Sequence, residues 1–191
     1  MNKNFLLLLL GQTLSLFGNG ILRFTLPLYL LKITGSASIF GMVTAFSLFP
    51  IILVLPIAGI LTDRLNKKKL MITLDFLTAF ILLIFVFLLN QVNFLFLLMM
   101  IMLFLYTINA FEQPAVQASL PLILDEDKLV KGNSVISGLN AISQILAPVL
   151  ASFIFTIYGI YLILYTSILC FFITAILELF LEIPHPKNNS I

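Results

Sequence analysis

A chain of 191 residues that is 61% hydrophobic and 9% charged, with a mean hydropathy of +1.18 and a net charge of +2, lies far outside the composition of water-soluble domains. That composition predicts an integral membrane protein, and the near-balanced charge gives no reason to expect a nucleic-acid partner. One cysteine, Cys170, and one histidine, His185, exclude a disulfide framework and a metal centre built from those residue types.

Six apolar runs are long enough to cross a hydrocarbon core of ~30 Å, which takes roughly 20 helical residues. They are Phe5–Leu31, Ile39–Leu61, Leu70–Leu89, Phe94–Gln113, Gly132–Tyr158 and Ile160–Leu181. The alternation over about ten residues that marks an outer-membrane barrel is absent, whereas helices satisfy their own backbone in lipid. The first run has no small-residue cleavage site after a short apolar core, so it is read as a span rather than a cleaved leader.

That first span carries Gln12, Ser15, Asn19 and Arg23 at spacings of three, four and four, which gathers them on one side of a helix. A polar stripe is costly against lipid and belongs against protein or a watery cavity. Two readings of Arg23 stand: contact with a substrate, or snorkelling toward the external headgroups and capping of neighbouring carbonyls. The second span ends in a charged loop, GILTDRLNKKK from Gly59 to Lys69, before the third begins. Asp75 in the third span, Glu112 near the end of the fourth and Glu178 in the sixth form a carboxylate layer at one end. Either they pair with Arg64 and Lys67–Lys69 to tie helix ends together, or one of them carries a proton. The fifth span repeats the polar device with Asn133, Ser137, Asn140, Gln144 and Pro148, as cavity lining or as hydrogen bonds between helices.

With the N-terminus inside, Lys3, Arg64, Lys67, Lys68, Lys69, Lys128, Lys131 and Lys187 share one side against Lys32 on the other. The positive-inside rule then places both termini in the cytoplasm. The connections at Asn90–Asn93 and around Gly159 are uncharged, as external turns are expected to be.

The loop Gly59–Lys69 resembles the signature between the second and third helices of major facilitator superfamily transporters. Gly59, Leu61, Asp63, Arg64, Lys67 and Lys68 fall on the pattern Gly-x-Leu-x-Asp-Arg-x-Gly-Arg-Arg/Lys, with Asn66 at the second glycine. Asn tolerates positive φ, so a tight turn there is expected to survive the exchange. The resemblance implies a cytoplasmic gate in which Gly59 allows close packing and Asp63 receives helix ends or basic side chains. The stretch GQTLSLFGNGILRFTLPLYLLKITGSASIFG with Pro50 and Pro56, and FEQPAVQASLPLIL followed by DEDKLVKGN, are similar to the branch of macrolide-efflux and enterobactin-exporter proteins. An antiporter pattern, Gly-x-x-x-Gly-Pro-x-x-Gly-Gly, falls on Ser143, Ala147, Pro148, Ala151 and Ser152, with every glycine replaced by another small residue. The arginine that many drug–proton antiporters carry in the fourth helix is missing from Phe94–Ala110.

The implied fold is an all-α membrane protein whose six transmembrane helices form one half of the superfamily fold, as two inverted three-helix repeats. Residues 1–183 form the bundle, and 184–191 a polar cytoplasmic tail or the start of a central linker. The implied function is efflux of small amphipathic molecules, of drug, macrolide or siderophore type, by alternating access across the bacterial plasma membrane, with no cofactor. Gly59, Asp63, Arg64, Lys67 and Lys68 serve the gate, Gln12, Asn19, Arg23, Asn140 and Gln144 line the cavity, and Asp75, Glu112 and Glu178 are proton or gate carboxylates. Three origins are open for a half-length chain: a truncated or split product, a partner for a separately encoded second half, or a homodimer. A non-transporting membrane fragment is the rival from another class. An enzyme lacks support, since no paired-histidine motif, activated nucleophile or phosphate loop is present.

Overall fold

The computed structural model describes residues 3–89 and 93–183. Most of the expected turn at Asn90–Asn93, the tail from Pro184, His185 and Lys187 lie outside the described residues. Five helices follow in chain order: α1 Lys3–Thr34, α2 Ala37–Arg64, α3 Lys67–Leu88, α4 Phe94–Ile123 and α5 Glu126–Leu179. Each is long and apolar enough to cross a membrane.

Short polar punctuation separates the first three helices. Gly35, at φ +63°, ends α1 in the left-handed conformation that closes helices without steric cost, its N–H donating to the Leu31 carbonyl at 2.9 Å. Ser36 then caps α2, its hydroxyl accepting from the Ile39 N–H. Between α2 and α3 the expected positive-φ turn is not used: Asn66 sits at φ −69°, ψ 106°, and no non-glycine residue described has positive φ. Asn66 instead caps α3, with Oδ1 accepting the Lys69 N–H at 3.1 Å, which is what a short amide does best at a helix start.

The fourth helix runs past the expected end at Gln113 to Ile123, through Pro114 and Pro121. Proline is tolerated inside such helices when neighbours accommodate the lost backbone bond. The last element is 54 residues long with one non-helical residue, Gly159, at φ 75°, ψ −170°. A straight helix of that length would extend about 80 Å, over twice a bilayer core. The neighbours of α1 show that it is not straight. Phe5 lies against Gly132 and Gly20 against Ala147, in the same chain direction. Gly11 meets Thr174 and Glu178, and Gly18 meets Phe171 and Cys170, in the opposite direction. The two arms of α5 therefore pack on α1 antiparallel to each other, with the reversal at Gly159.

Packing divides into two apolar clusters. One joins Leu22, Leu26 and Leu30 of α1 to Leu82, Phe85, Leu105 and Ile163, and the other gathers Phe5, Leu8, Met71, Val116 and Ile136 at the opposite end. Large apolar side chains such as Phe87, Ile52, Val149 and Phe153 are exposed, as expected where the solvent is hydrocarbon and helix association rests on close van der Waals contact. Small residues supply that contact: Gly20 on α1 meets Ala147 on α5, and Ala147 and Ala151 are fully buried. Helix α2 is the least enclosed, burying only Val43, Ser47, Ala58 and Thr62.

Candidate functional site

Three helices build a polar cleft of about 270 Å³. Asn19 and Arg23 come from α1, Asn109 and Gln113 from α4, and Asn140 and Gln144 from α5. The spacing of four within each pair places both members on one helix face. Gln113 Nε2 donates to Asn140 Oδ1 at 3.3 Å across the α4–α5 side. Asn19, Arg23, Asn140 and Gln144 thus line one cleft. Asn109 and Gln113 were missed; their signal is two amides four residues apart in YTINAFEQ, on either side of Glu112 in the sequence.

Gln12 does not line this cleft. It lies beside Glu112, buried, with Nε2 making no hydrogen bond. The stripe on α1 therefore divides: its first members turn to a carboxylate cluster inside the bundle, and Arg23 turns to the cleft. Ser15 Oγ donates to Glu112 Oε1 at 2.5 Å and lies 3.5 Å from Asp75 Oδ1. Asn19 Nδ2 reaches Glu112 Oε2 at 3.3 Å. Asp75 and Glu178 lie close enough to interact, and Asp75, Glu112 and Glu178 are all buried.

The three carboxylates do not pair with the basic loop, against one of the two readings of the sequence. Among the described residues the ion pair is Lys128–Asp125, both exposed, where the hydrogen-bonded ammonium holds the Asp125 carboxyl below its ordinary range. Lys67 Nζ donates to the Asp63 carbonyl at 2.6 Å and Lys68 Nζ to the Leu179 carbonyl at 2.8 Å, so the loop lysines cap helix ends rather than neutralise the interior acids. For Asp75 this follows from reach, since it lies two turns into α3, beyond the capped start of that helix.

Arg23 has its guanidinium 4.4 Å from the centre of the Tyr106 ring, a cation–π contact. Its Nε and Nη2 are shut off from solvent and make no hydrogen bond. These two atoms cap no neighbouring carbonyl. In the loop motif, the side chains of Asp63 and Arg64 are exposed and form no hydrogen bond or ion pair among the described residues. Gly59 has nothing within 4 Å of where a Cβ would stand, so the close packing expected at this glycine is not made within the described bundle.

A family model described as Major Facilitator Superfamily matches residues 8–191. Macrolide efflux protein A of Streptococcus pyogenes is 31% identical over 178 residues, which cover 91% of this chain and 43% of that protein. The protein of the same name from Enterococcus faecalis is 30% identical over 154 residues, covering 78% of this chain and 46% of its own length. The chain thus spans less than half the length of the relatives it matches.

Proposed function

Since this chain belongs to the Major Facilitator Superfamily, we propose that it forms one six-span bundle of a transporter that exports small amphipathic molecules by alternating access. It is a multi-pass membrane protein and not an enzyme. The reversal of α5 at Gly159 supports division of that element into a fifth and a sixth span, and hence two three-helix repeats. The observation that carries the transport reading is the cleft: five amides and a guanidinium from three helices, opening on one side of an otherwise apolar bundle. Such a face is costly against lipid and suits a solute path between two bundles.

The facing bundle is supplied by further residues of the same polypeptide, by a separate chain or by a second copy. Asp63 and Arg64, exposed and without partners among the described residues, beside the open face of Gly59, are suited to close against it on the cytoplasmic side. The excess of Lys and Arg at that end supports cytoplasmic termini in a bacterial plasma membrane. The buried carboxylates Asp75, Glu112 and Glu178 serve as gate or proton-holding groups; a change at Asp75 or Glu112 reaches Ser15, and through Asn19 the cleft. The relatives named for macrolide efflux make a macrolide the first substrate to try.

The test is erythromycin accumulation in efflux-deficient bacteria that express this chain together with a facing bundle. Accumulation is expected to fall, and Asp63→Asn to return it to the level of empty cells, with at least a tenfold loss of efflux and unchanged protein in the membrane. Equal accumulation with wild type, Asp63→Asn and empty vector would sink the proposal.

A further inference from the structure

We infer that an anionic phospholipid of the cytoplasmic leaflet binds in a second cavity, between the start of α1, the end of α4 and the start of α5. Its phosphate sits at Lys131 and the upper part of an acyl chain lies against Phe5, Leu9 and Val135; of the transport reading this takes only the cytoplasmic placement of that end. The cavity measures about 420 Å³, within the ~300–1,000 Å³ usual for small-ligand sites. Its floor is apolar, made by Phe5 and Leu9 of α1, Ile123 and Leu124 where α4 ends, and Val135 of α5. Its rim carries Asp125, Lys128 and Lys131, two ammoniums against one carboxylate.

Rim and floor are ordered in depth as a phospholipid is. Helix α1 and the first arm of α5 run in the same direction, with Phe5 against Gly132 and Gly20 against Ala147. Leu9 and Val135 therefore both lie deeper in the bundle than Phe5 and Lys128. From Lys128 to Val135 the helix rises about 10 Å, at 1.5 Å per residue. The headgroup layer of one leaflet is roughly 5–8 Å deep, so a phosphate at the rim brings the chain below it to Val135. Gly132 lets the wall close behind this space, since a side chain there would run into Leu124 and meet Phe5.

Charge selects the headgroup. Lys128 is paired with Asp125, and Lys131, on the same side of α5, brings the ammonium that makes the rim positive overall. A net positive rim over an apolar floor favours a monoanionic headgroup over a zwitterionic one, which is how basic pockets between membrane helices on the cytoplasmic side hold lipid. The cavity shares no lining residue with the polar cleft. The buried seam of Gly132, Ile136, Ser143 and Ala147 on α5 divides the two. At 100° per residue, Asn140 and Gln144 fall on one flank of that seam and Lys128, Lys131 and Val135 on the other. A solute in the cleft therefore leaves the lipid in place.

The experiment is native mass spectrometry of the full chain, delipidated in a neutral detergent and titrated with phosphatidylglycerol or with phosphatidylcholine of the same acyl chains. The first phosphatidylglycerol is expected to bind about fivefold more tightly than phosphatidylcholine, the attraction of one lysine near an anionic headgroup. Lys131→Gln should remove that preference. Val135→Trp, at an exposed lining position, fills the cavity and should weaken both lipids. Lys69→Gln removes the same charge from an exposed lysine of the basic loop and should change nothing. The inference is overturned if the two lipids bind alike, if the preference survives Lys131→Gln, or if Val135→Trp leaves binding unchanged. It is overturned in favour of diffuse surface charge if Lys69→Gln loses as much as Lys131→Gln, and in favour of a free-phosphate site if glycerol 3-phosphate at the lipid's concentration displaces it. Erythromycin efflux sensitive to Asp63→Asn, together with no preference for phosphatidylglycerol, would remove this inference and leave the transport reading intact; the preference without efflux would do the converse.

Discussion

One methyl group added at Gly20 tests the contact on which both the bundle and the cleft depend. A Cβ at that position would stand 2.7 Å from the Cβ of Ala147 and 3.9 Å from the Ser143 carbonyl oxygen. Non-bonded carbons settle at roughly 3.5–4.0 Å, so α1 and the first arm of α5 must part by about 1 Å. Neither atom can rotate aside, because each is fixed to its backbone. A gap of that size forfeits roughly a quarter to a half of each displaced contact, and overpacking of this kind costs about 1–3 kcal/mol. The gain in helix propensity from Gly to Ala, about 1 kcal/mol at most, offsets part of it. Thermal unfolding in detergent, followed by circular dichroism, should therefore show Gly20→Ala melting several degrees below wild type. Ala147→Gly in the same chain removes the colliding atom and should recover most of the loss, a coupling that a double-mutant cycle measures directly. Gly59→Ala, with nothing within 4 Å, is the matched control and should not fall. If Gly20→Ala melts with wild type, or if Ala147→Gly fails to rescue it, the α1–α5 contact is not the one described.

The remaining expectations concern the turn, the carboxylate cluster and the surface. Gly159→Ala places a side chain at φ 75°, ψ −170°, a region essentially reserved for glycine, and should cost about 1–3 kcal/mol; Gly138→Ala, in a helix with open space around it, should be neutral or slightly stabilising in the same melt. Ser15→Ala removes the closest donor to Glu112 Oε1 and, by leaving a buried acceptor short of a partner, should cost about 1–3 kcal/mol, while Ser15→Thr, which keeps the hydroxyl, should lose less. Asp125→Asn and Lys128→Gln should each leave the melting temperature near wild type at neutral pH, since the pair is solvent-exposed and such pairs contribute little. The folded carboxyl of Asp125 titrates below its unfolded value. Any small stabilisation is therefore present above the ordinary carboxylate range and lost as pH falls through the depressed one; a larger difference between Asp125→Asn and wild type at neutral pH than at acid pH is the sign to look for.

What the sequence by itself determined follows from short-range rules. Spans are legible because lipid admits almost nothing but long apolar helices, and the family is legible because Gly59, Asp63, Arg64, Lys67 and Lys68 stand at fixed spacing in one loop. The stripes on α1 and α5 are legible too, since helical periodicity alone says which residues share a face. Periodicity does not say what that face meets. Only the packing of α4 and the second arm of α5 against α1 turned Gln12 and Ser15 toward Glu112, and left Arg23 to the cleft with Asn109 and Gln113. The same packing gathered Asp75, Glu112 and Glu178 from three distant points of the chain and left them unpaired with the basic loop. At Asn66 the tertiary path, not the residue's tolerance of positive φ, decided its role as a cap. Such outcomes depend on distances between helices, which are set by where small residues such as Gly20 and Ala147 let backbones approach, and no local pattern encodes that meeting.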